Sequence, residues 1–531
     1  MQEQFSAVRV GGLGPLIRSG RPALLATFHA NYVMAGGFEP LSFHVTNVLL
    51  HGLNAGLLFF FLRALFAGRS FGDPADGFRP LFVYFLPLLF LTSPIQTESV
   101  AYVSSRSELL GTTFYLCGLW AFVAYRETHP WRTAALAILC FAGAAASKQD
   151  KITLPAAILL LDYLLLSKRD WRGLAKSWPT YGLFGLGMIL GFLAVVRPVL
   201  FAQSAGFTLD WQPYLFTQLR IIFRYLGQLV APWGLNLDPD IAISQSLWQH
   251  FSWLALIGLI LLIVVAWKLR RRAPLASFGL LFFLLALAPT TSFVPLLDYA
   301  AERRLYLPSI GFFLAALTGA AALVPARSKG LYVAAAALAA VYSYGTYQRS
   351  VVWSDELLLW QDTASKSPKK ARPWGWVGRL YNERGEPEKA LAAWQRAAEV
   401  VERGSDEEGY LLSNIALGLA ELDRRQQAIE YYQRSLDILP DDPRIRAQLA
   451  VQLIRTGREE EGWRELERAF SNPDKLTPEL YVLRGQEHYL AGRYDEALRD
   501  FEQADFMRPG DPDLEHNLEV ARRAAAEAGA P

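Results

Sequence analysis

The sequence predicts an all-α protein in two parts, a polytopic transmembrane bundle of about ten helices and then a solenoid of helical repeats. Three observations predict it. Some ten apolar runs of near-spanning length fill residues 1–350, small residues recur at intervals of 34 to 38 beyond residue 370, and the charge changes sign between the two stretches. Residues 1–350 hold 27 Lys+Arg against 15 Asp+Glu, whereas residues 351–531 hold 25 against 35. The formal net charge of +2 conceals this asymmetry. Basic residues of the first part fall in short clusters between apolar runs and not along one helix face, which argues against a nucleic-acid partner. Cys117 and Cys140 both lie inside apolar runs and carry no disulfide or metal signal. The first forty residues have no basic start leading into an apolar core, so no cleavable signal peptide is read there.

Each crossing takes roughly 20 apolar residues. The runs lie at 41–66, 79–93, 106–125, 133–147, 152–166, 180–201, 251–267, 276–291, 305–324 and 331–347. Several are short, a length tolerated inside a packed bundle. Basic clusters mark the cytoplasmic side of short loops. Lys168, Arg169, Arg172 and Lys176 form one, and Lys268, Arg270, Arg271 and Arg272 another. Placing both inside also places Arg63, Arg69, Arg79, Arg126, Arg132, Arg327 and Lys329 there. That assignment requires residues 214–235 not to cross. Gln218, Arg220, Arg224 and Gln228 recur there at helical spacing, so the segment is read as an amphipathic helix lying at the outer interface. Ten spans then carry the chain from outside to outside. An outward N-terminal segment with Arg9, Arg18 and Arg21 points either to a different span count or to a first helix upstream of this chain.

In the last third, Ala390, Ala428, Gly462 and Ala497 recur in register. Twelve residues before each stands another small residue (Gly378, Ala416, Ala450, Gly485), and seven after each another (Ala397, Ser435, Ala469, Ala504). Large side chains lie between, at Trp394, Tyr432, Leu466 and Phe501. Small residues are needed where paired helices cross closely, and bulky ones fill the holes between pairs. This is the 34-residue tetratricopeptide (TPR) pattern. Such a solenoid presents a concave surface to a protein or peptide partner. The expected domains are an outer N-terminal segment at 1–40, a membrane domain at 41–347, a connector at 348–371, and about four repeats with a capping helix at 372–526.

Polar residues gather where the predicted spans reach the outer side. His44, Asn47 and His51 share one helix face; Glu98, Arg106 and Glu108 follow the second run; Lys148, Asp150 and Lys151 follow the fourth; Asp298, Glu302, Arg303 and Arg304 precede Tyr306. Ionisable groups beside spans are expensive and mark function. Cations there suit a lipid-linked phosphate, and a carboxylate can take a proton from an acceptor hydroxyl. Each also has a structural reading: histidines as helix–helix hydrogen-bond partners, lysines as interfacial side chains, Arg303 and Arg304 as partners of Glu302 or Asp298. Asp162, near the inner end, is read as structural. Two histidines do not make a metal site, and Gly11-Gly12-Leu13-Gly14 precedes no βαβ pattern that would make it a nucleotide loop.

The segments SPIQTESVAYVSSRSELL, SKQDKITLP and AERRLYLPSIGF, in that order and ahead of TPRs, resemble the transmembrane-and-TPR O-mannosyltransferase family. RPALLATFHANYVMAGGFEPLSFHVTNVLLH is similar to the segment before that family's second span. The resemblance implies a GT-C membrane fold, a polyprenyl-phosphate donor of a mannose-like sugar, and transfer to protein hydroxyls on the non-cytoplasmic side. It implies a multi-pass protein of the inner membrane with periplasmic repeats. Lys148, Arg303, Arg304 and Arg106 would hold donor phosphate, and Glu98 and Glu302 would be the acidic groups that activate the acceptor. His44, His51 and Tyr306 complete the polar candidates. No tightly bound cofactor is expected; metal dependence is open. Members usually carry an acidic pair in a first outer loop, whereas residues 1–40 contain only Glu3 and Glu39 as carboxylates. Two further readings therefore stand beside the enzyme: a catalytically inactive membrane-anchored TPR scaffold, and an O-antigen ligase- or polymerase-like enzyme.

Overall fold

The computed structural model describes residues 21–67, 69–126, 128–191, 210–326 and 328–528. Arg9, Arg18, the Gly11-Gly12-Leu13-Gly14 cluster, Arg327 and the last part of the run at 180–201 lie outside the described residues. Among the described residues every regular element is helical. The chain divides into two compact units, Met1–Asp355 and Glu356–Pro531.

In the first unit the principal helices are α1 (Pro22–Ala35), α2 (Pro40–Phe66), α3 (Leu86–Thr92), α4 (Arg106–Tyr125), α5 (Pro130–Ser147), α6 (Leu154–Leu161), α7 (Trp178–Gly191), α8 (Trp211–Val230), α9 (Ser252–Leu269), α10 (Pro274–Leu287), α11 (Pro308–Ala322) and α12 (Lys329–Val352). Proline opens α1, α2, α5, α10 and α11. Its missing N–H is harmless in a first turn and its fixed φ suits a helix start. The core joins Leu58, Phe61, Leu62, Leu86, Phe282 and Leu314 from four of these helices. At the crossing of α10 and α11 the backbones touch: a Cβ on Gly279 would lie 2.5 Å from the Gly311 carbonyl. Close approach through small residues is how helices associate where lipid supplies no hydrophobic drive.

Among the described residues three helical stretches, Pro40–Phe66, Val103–Ala124 and Gln249–Leu269, are long and apolar enough to cross a membrane. Leu81–Thr92 with Pro94–Ala101, bent by 53°, makes a fourth if the pair is one span. Ten such spans are not evident among the described residues. The apolar runs are there, but several form helices of 17 residues or fewer, Trp131–Ser147, Pro274–Thr290 and Pro308–Ala322 among them. A π-turn at Leu81–Phe85 continues into α3, 3₁₀ geometry at Gln149–Thr153 separates α5 from α6, and α6 continues into a second π-turn at Asp162–Leu166. Helix α12 is long enough, but its second half carries Ser343, Thr346, Gln348 and Arg349.

Helix α8 corrects the amphipathic reading. It is two-faced as expected, yet Gln218 and Gln228 lie on the buried face with Tyr214, Ile221 and Tyr225. Arg224 is exposed, and Arg220 donates to the Ala242 carbonyl and the Ser244 hydroxyl, both at 2.8 Å. Its buried side chains pack with Ala300 and Leu305, so α8 covers the segment that leads to Arg303 and does not merely lie on lipid.

The second unit pairs α14 (Ala371–Glu383) with α15 (Pro387–Val400), α16 (Asp406–Glu421) with α17 (Arg425–Ile438), α18 (Pro443–Arg455) with α19 (Glu459–Ala469), and α20 (Pro478–Leu490) with α21 (Tyr494–Met507). Helix α13 (Glu356–Lys366) precedes them and α22 (Pro512–Ala528) follows. Ala390, Ala416, Ala428, Ala450 and Ala497 are wholly buried. Gly378 lies against the Trp394 ring with no room for a Cβ, and the Trp394 Nε1–H donates to the Gly375 carbonyl at 3.1 Å.

Candidate functional site

A loop at residues 291–300 leads into the AERRLYLPS motif, which forms one 3₁₀ turn, Glu302–Leu305, and then enters α11. The buried hydroxyl of Tyr225 on α8 fixes this loop by accepting the Ala301 N–H at 2.9 Å and donating to the Ala301 carbonyl at 3.1 Å. Gln218 donates to the Tyr299 carbonyl at 2.8 Å. Glu302 is buried and accepts the Asn236 N–H at 2.5 Å.

Arg303 is where the loop meets the rest of the membrane unit. Glu98, in the short helix Thr97–Ala101, is fully buried and takes both the Arg303 N–H at 3.0 Å and its Nη1–H at 2.5 Å. The other arm, Nη2, reaches Asp298 at 2.8 Å. The Arg303 side chain is 23% exposed and that of Asp298 34%, whereas that of Glu98 is 0%. Burial would lower the Arg303 pKa; Glu98 and Asp298 outweigh it and hold the guanidinium above its ordinary value.

The other predicted phosphate ligands stand elsewhere. Arg304 is buried and turns back on its own loop, donating to the carbonyls of Tyr299 at 2.9 Å and Asp298 at 2.5 Å. That corrects its reading as a phosphate ligand: its donors hold the loop's shape. Arg106 needs the same correction. It is sealed from solvent and donates to Asn47 at 2.9 Å, Asn31 at 2.5 Å and the carbonyls of Phe43 at 3.0 Å and Thr27 at 3.3 Å. The Phe28 ring lies 4.5 Å from its guanidinium carbon. Arg106 is thus a hub tying α1 and α2 to α4. Lys148 belongs to a quartet: it pairs with Glu108 and, at 3.3 Å, with Asp150, while Lys151 pairs with Glu108 at 2.7 Å and Asp150 at 3.2 Å. Burial pushes the Asp150 carboxyl up, but Lys148 and Lys151 together hold it below the usual carboxylate range.

His51 and His44 occupy one stripe of α2, yet His44 is exposed and His51 is buried. His51 Nε2 faces the Leu91 carbonyl at 3.1 Å, which requires the proton there, so Nδ1 accepts the Tyr306 hydroxyl proton at 2.7 Å. Asn54 donates to the Tyr306 oxygen at 3.1 Å and receives Thr113 at 2.8 Å. Tyr306 is fully buried and not at an outer surface, and with His51 it forms a closed polar lock between α2, α4 and the motif. No group of His, Cys, Asp or Glu able to hold a metal ion occurs among the described residues.

Glu108, Asp150, Lys151 and Asp298 complete these clusters. Their segments drew attention in the sequence as polar; the partners of Glu108 were hidden by separations of 40 and 43 residues, whereas Asp298 lies five residues from Arg303.

The tetratricopeptide repeat family matches residues 370–441. Over 422 residues the chain is 26% identical to the human protein O-mannosyl-transferase TMTC4, covering 70% of this chain and 57% of that protein. It is 26% identical to the Caenorhabditis elegans protein O-mannosyl-transferase F38B6.6, covering 69% and 52%, and 23% identical to human TMTC3, covering 80% and 48%. The chain therefore spans about half the length of the curated relatives it matches. A thermophilic TPR protein of Thermus thermophilus is 19% identical with a TM-score of 0.29, covering 35% of this chain and 94% of that one. This chain is therefore similar in sequence to the TMTC protein O-mannosyl-transferases.

Proposed function

We propose that this chain transfers a mannose-like sugar from a polyprenyl-phosphate donor to protein hydroxyls at the non-cytoplasmic face of the inner membrane. In this reading the first unit is a GT-C-like bundle of about ten spans, and the periplasmic repeats present the acceptor peptide. Arg303 carries the proposal. It is a partly exposed cation held from behind by a buried carboxylate, on a loop that also exposes Phe293 and Leu297 at 65% and 77%. A lipid phosphate brings the two features that such a place accepts, an anion to pair and a chain to bury. Lys148, whose side chain is 15% exposed, is the second phosphate ligand. In the transfer the acceptor oxygen attacks the anomeric carbon and the bond from that carbon to the phosphate oxygen breaks. The acceptor's proton passes to a carboxylate, and polyprenyl phosphate leaves. Glu98 and Glu302 are the residues proposed for that proton.

A second reading, a membrane-anchored TPR scaffold without transferase activity, is favoured by one observation. Both proposed carboxylates are buried and already engaged, Glu98 by Arg303 and Glu302 by the Asn236 N–H. Incubating the purified protein with radiolabelled polyprenyl-phosphate mannose and candidate periplasmic acceptors separates the two. Label in protein is the enzyme's result; peptide capture with no label is the scaffold's. A reporter fused after residue 531 should be active only when exported, and a cytoplasmic reporter would overturn the proposed sidedness.

A further inference from the structure

We propose that two basic loops of the first unit, at residues 167–177 and 268–273, close into one site for an anionic glycerophospholipid, with its phosphate on the cations and its acyl chains along α9. The inference rests on the first unit being membrane-embedded and is independent of sugar transfer.

Residues 168–176 hold four cations and one carboxylate, Asp170, and residues 268–272 hold four cations and none. The fold joins the two stretches: the Arg169 Nη1–H donates to the Arg270 carbonyl, 101 residues further on. Lys168 and Arg169 both take left-handed backbone, at φ 48° and 69°, which residues other than glycine rarely adopt. The Arg169 N–H holds that turn by donating to the Tyr163 carbonyl at 2.7 Å. Arg169 thus pins the loops together. Lys168, Arg172, Lys176, Lys268, Arg271 and Arg272 are exposed, with no acidic partner among the described residues. Like charges gathered on one surface repel, and a bound anion relieves that repulsion. Two buried carboxylates adjoin the loops, but both are already engaged. Asp162 pairs with Arg126 at 2.9 Å and accepts the Ser167 and Ser177 hydroxyls at 2.6 and 3.1 Å. Asp73 accepts the N–H groups of Ala75 at 3.1 Å and Leu275 at 2.9 Å.

The neighbours of the cations identify the anion as a lipid's. The Trp267 ring stacks on Tyr163 at 6.4 Å, Tyr163 meets Trp171 at 4.9 Å, and the Arg270 guanidinium carbon lies 4.3 Å from the Trp267 ring centre. Trp171 is 70% exposed and Trp267 44%. Exposed tryptophan beside lysine and arginine is the composition of a membrane–water interface. Ile257, Ile260, Val264 and Trp267 are all exposed, and their spacing of three, four and three puts them on one face of α9. That helix buries only Ser252 and Ala266. A free phosphate would pair the cations and leave this face uncovered, whereas an anionic phospholipid covers both.

The test uses the full chain in neutral detergent and titrates it with dioleoyl phosphatidylglycerol, dioleoyl phosphatidylcholine or inorganic phosphate, reading bound lipid by native mass spectrometry. Phosphatidylglycerol should bind in preference to phosphatidylcholine. A basic residue near a membrane surface is worth about 1 kcal/mol, so each cation removed should weaken phosphatidylglycerol about five-fold. Lys168→Gln/Arg172→Gln in one loop and Lys268→Gln/Arg271→Gln in the other should therefore each weaken it by roughly 25-fold. Where a double variant is not monodisperse, Lys168→Gln or Lys268→Gln alone serves. Trp267→Leu keeps the charge but removes the ring beside Arg270, and should weaken binding about two- to five-fold. Phosphatidylcholine bound as tightly as phosphatidylglycerol overturns the anionic site. Displacement of phosphatidylglycerol by an equal concentration of inorganic phosphate shows a plain anion site and overturns the lipid. Weakening by the variant of one loop alone shows that the loops act separately and overturns the joined site. None of these readouts involves transfer, so failure here leaves the proposed activity untouched, and failure of transfer leaves this site untouched.

Discussion

Replacing Arg303 by Ala should destabilise the membrane unit more than replacing Glu98 by Gln, because it breaks the pairs with both Glu98 and Asp298 and leaves a buried charge behind, whereas Glu98→Gln breaks only the first pair. The difference follows from what each variant leaves behind. Without the Arg303 side chain, the Glu98 carboxylate keeps only the Arg303 N–H at 3.0 Å and remains at 0% side-chain exposure. An unmatched buried charge of this kind costs about 3–5 kcal/mol. In Glu98→Gln the amide oxygen still accepts that N–H, and the guanidinium, at 23% exposure, keeps Asp298 and water. The loss is then roughly 1–2 kcal/mol. At about 2 °C per kcal/mol for a large domain, the melting temperature should fall by about 6–10 °C in Arg303→Ala and about 2–4 °C in Glu98→Gln. The double variant Glu98→Gln/Arg303→Gln should lose less than the sum, since each change removes the other's penalty. Tryptophan-fluorescence melting of the full chain in detergent reads these shifts, on the transition that Gly378→Ala in the repeats leaves in place. If Arg303→Ala melts no lower than Glu98→Gln, Arg303 is not the counterion of Glu98. The same reasoning makes loss of transfer in Arg303→Ala ambiguous, because instability alone would produce it; Arg303→Lys keeps the charge and is the cleaner probe of the site.

Gly378→Ala should lower the melting temperature of the repeat unit, because its methyl meets the buried Trp394 ring and overpacking costs about 1–3 kcal/mol; an unshifted melt would show that the ring has room to move. Glu408 accepts the Gly404 N–H and the Arg403 guanidinium, both at 2.6 Å, which hold its pKa below the ordinary value. Its contribution to stability is therefore full above the unfolded pKa of about 4.3 and lost as pH falls through the folded value. Glu408→Gln should melt lower than the parent at neutral pH and converge with it near pH ~3, and a gap that widens on acidification would contradict the sign. Tyr306→Phe removes the proton that His51 accepts and the oxygen that Asn54 donates to, at a cost of about 1–3 kcal/mol, and a parent-like melt would mean that the lock is not closed.

The repeats were readable because their contacts are local. Gly378 meets Trp394, and Gly485 meets Phe501, each within one helix pair, so a spacing in sequence is directly a contact in space. The membrane unit was readable only in composition. Hydropathy registers which residues are apolar but not where a helix bends, so the run at 79–93 gave no sign of the 53° bend between Leu81–Thr92 and Pro94–Ala101. In α8 the two-faced helix was readable but not the facing of its glutamines: Gln218 can be buried because the Tyr299 carbonyl comes to meet it, and that carbonyl is 81 residues away. The polar segments themselves were found, and so was the local pair of Arg303 with Asp298, but not the distant pairings such as Glu98 with Arg303. Arg106 and Glu108 look like neighbours in sequence, yet two residues on a helix are about 200° apart. One therefore faces Asn31 and Asn47 and the other faces Lys148 and Lys151.

That divergence on α4 separates two kinds of buried cation. Arg106 meets only neutral acceptors and aromatic faces, so nothing about it changes when an anion arrives, and its role is to hold three helices together. Arg303 and Lys148 each face two carboxylates, one buried (Glu98, Glu108) and one less so (Asp298, Asp150). A cation shared in this way is anchored by its buried partner. The outer partners differ in access, Asp298 at 34% side-chain exposure against Asp150 at 9%. Of the two clusters, the one at Arg303 is therefore the more open to an incoming anion.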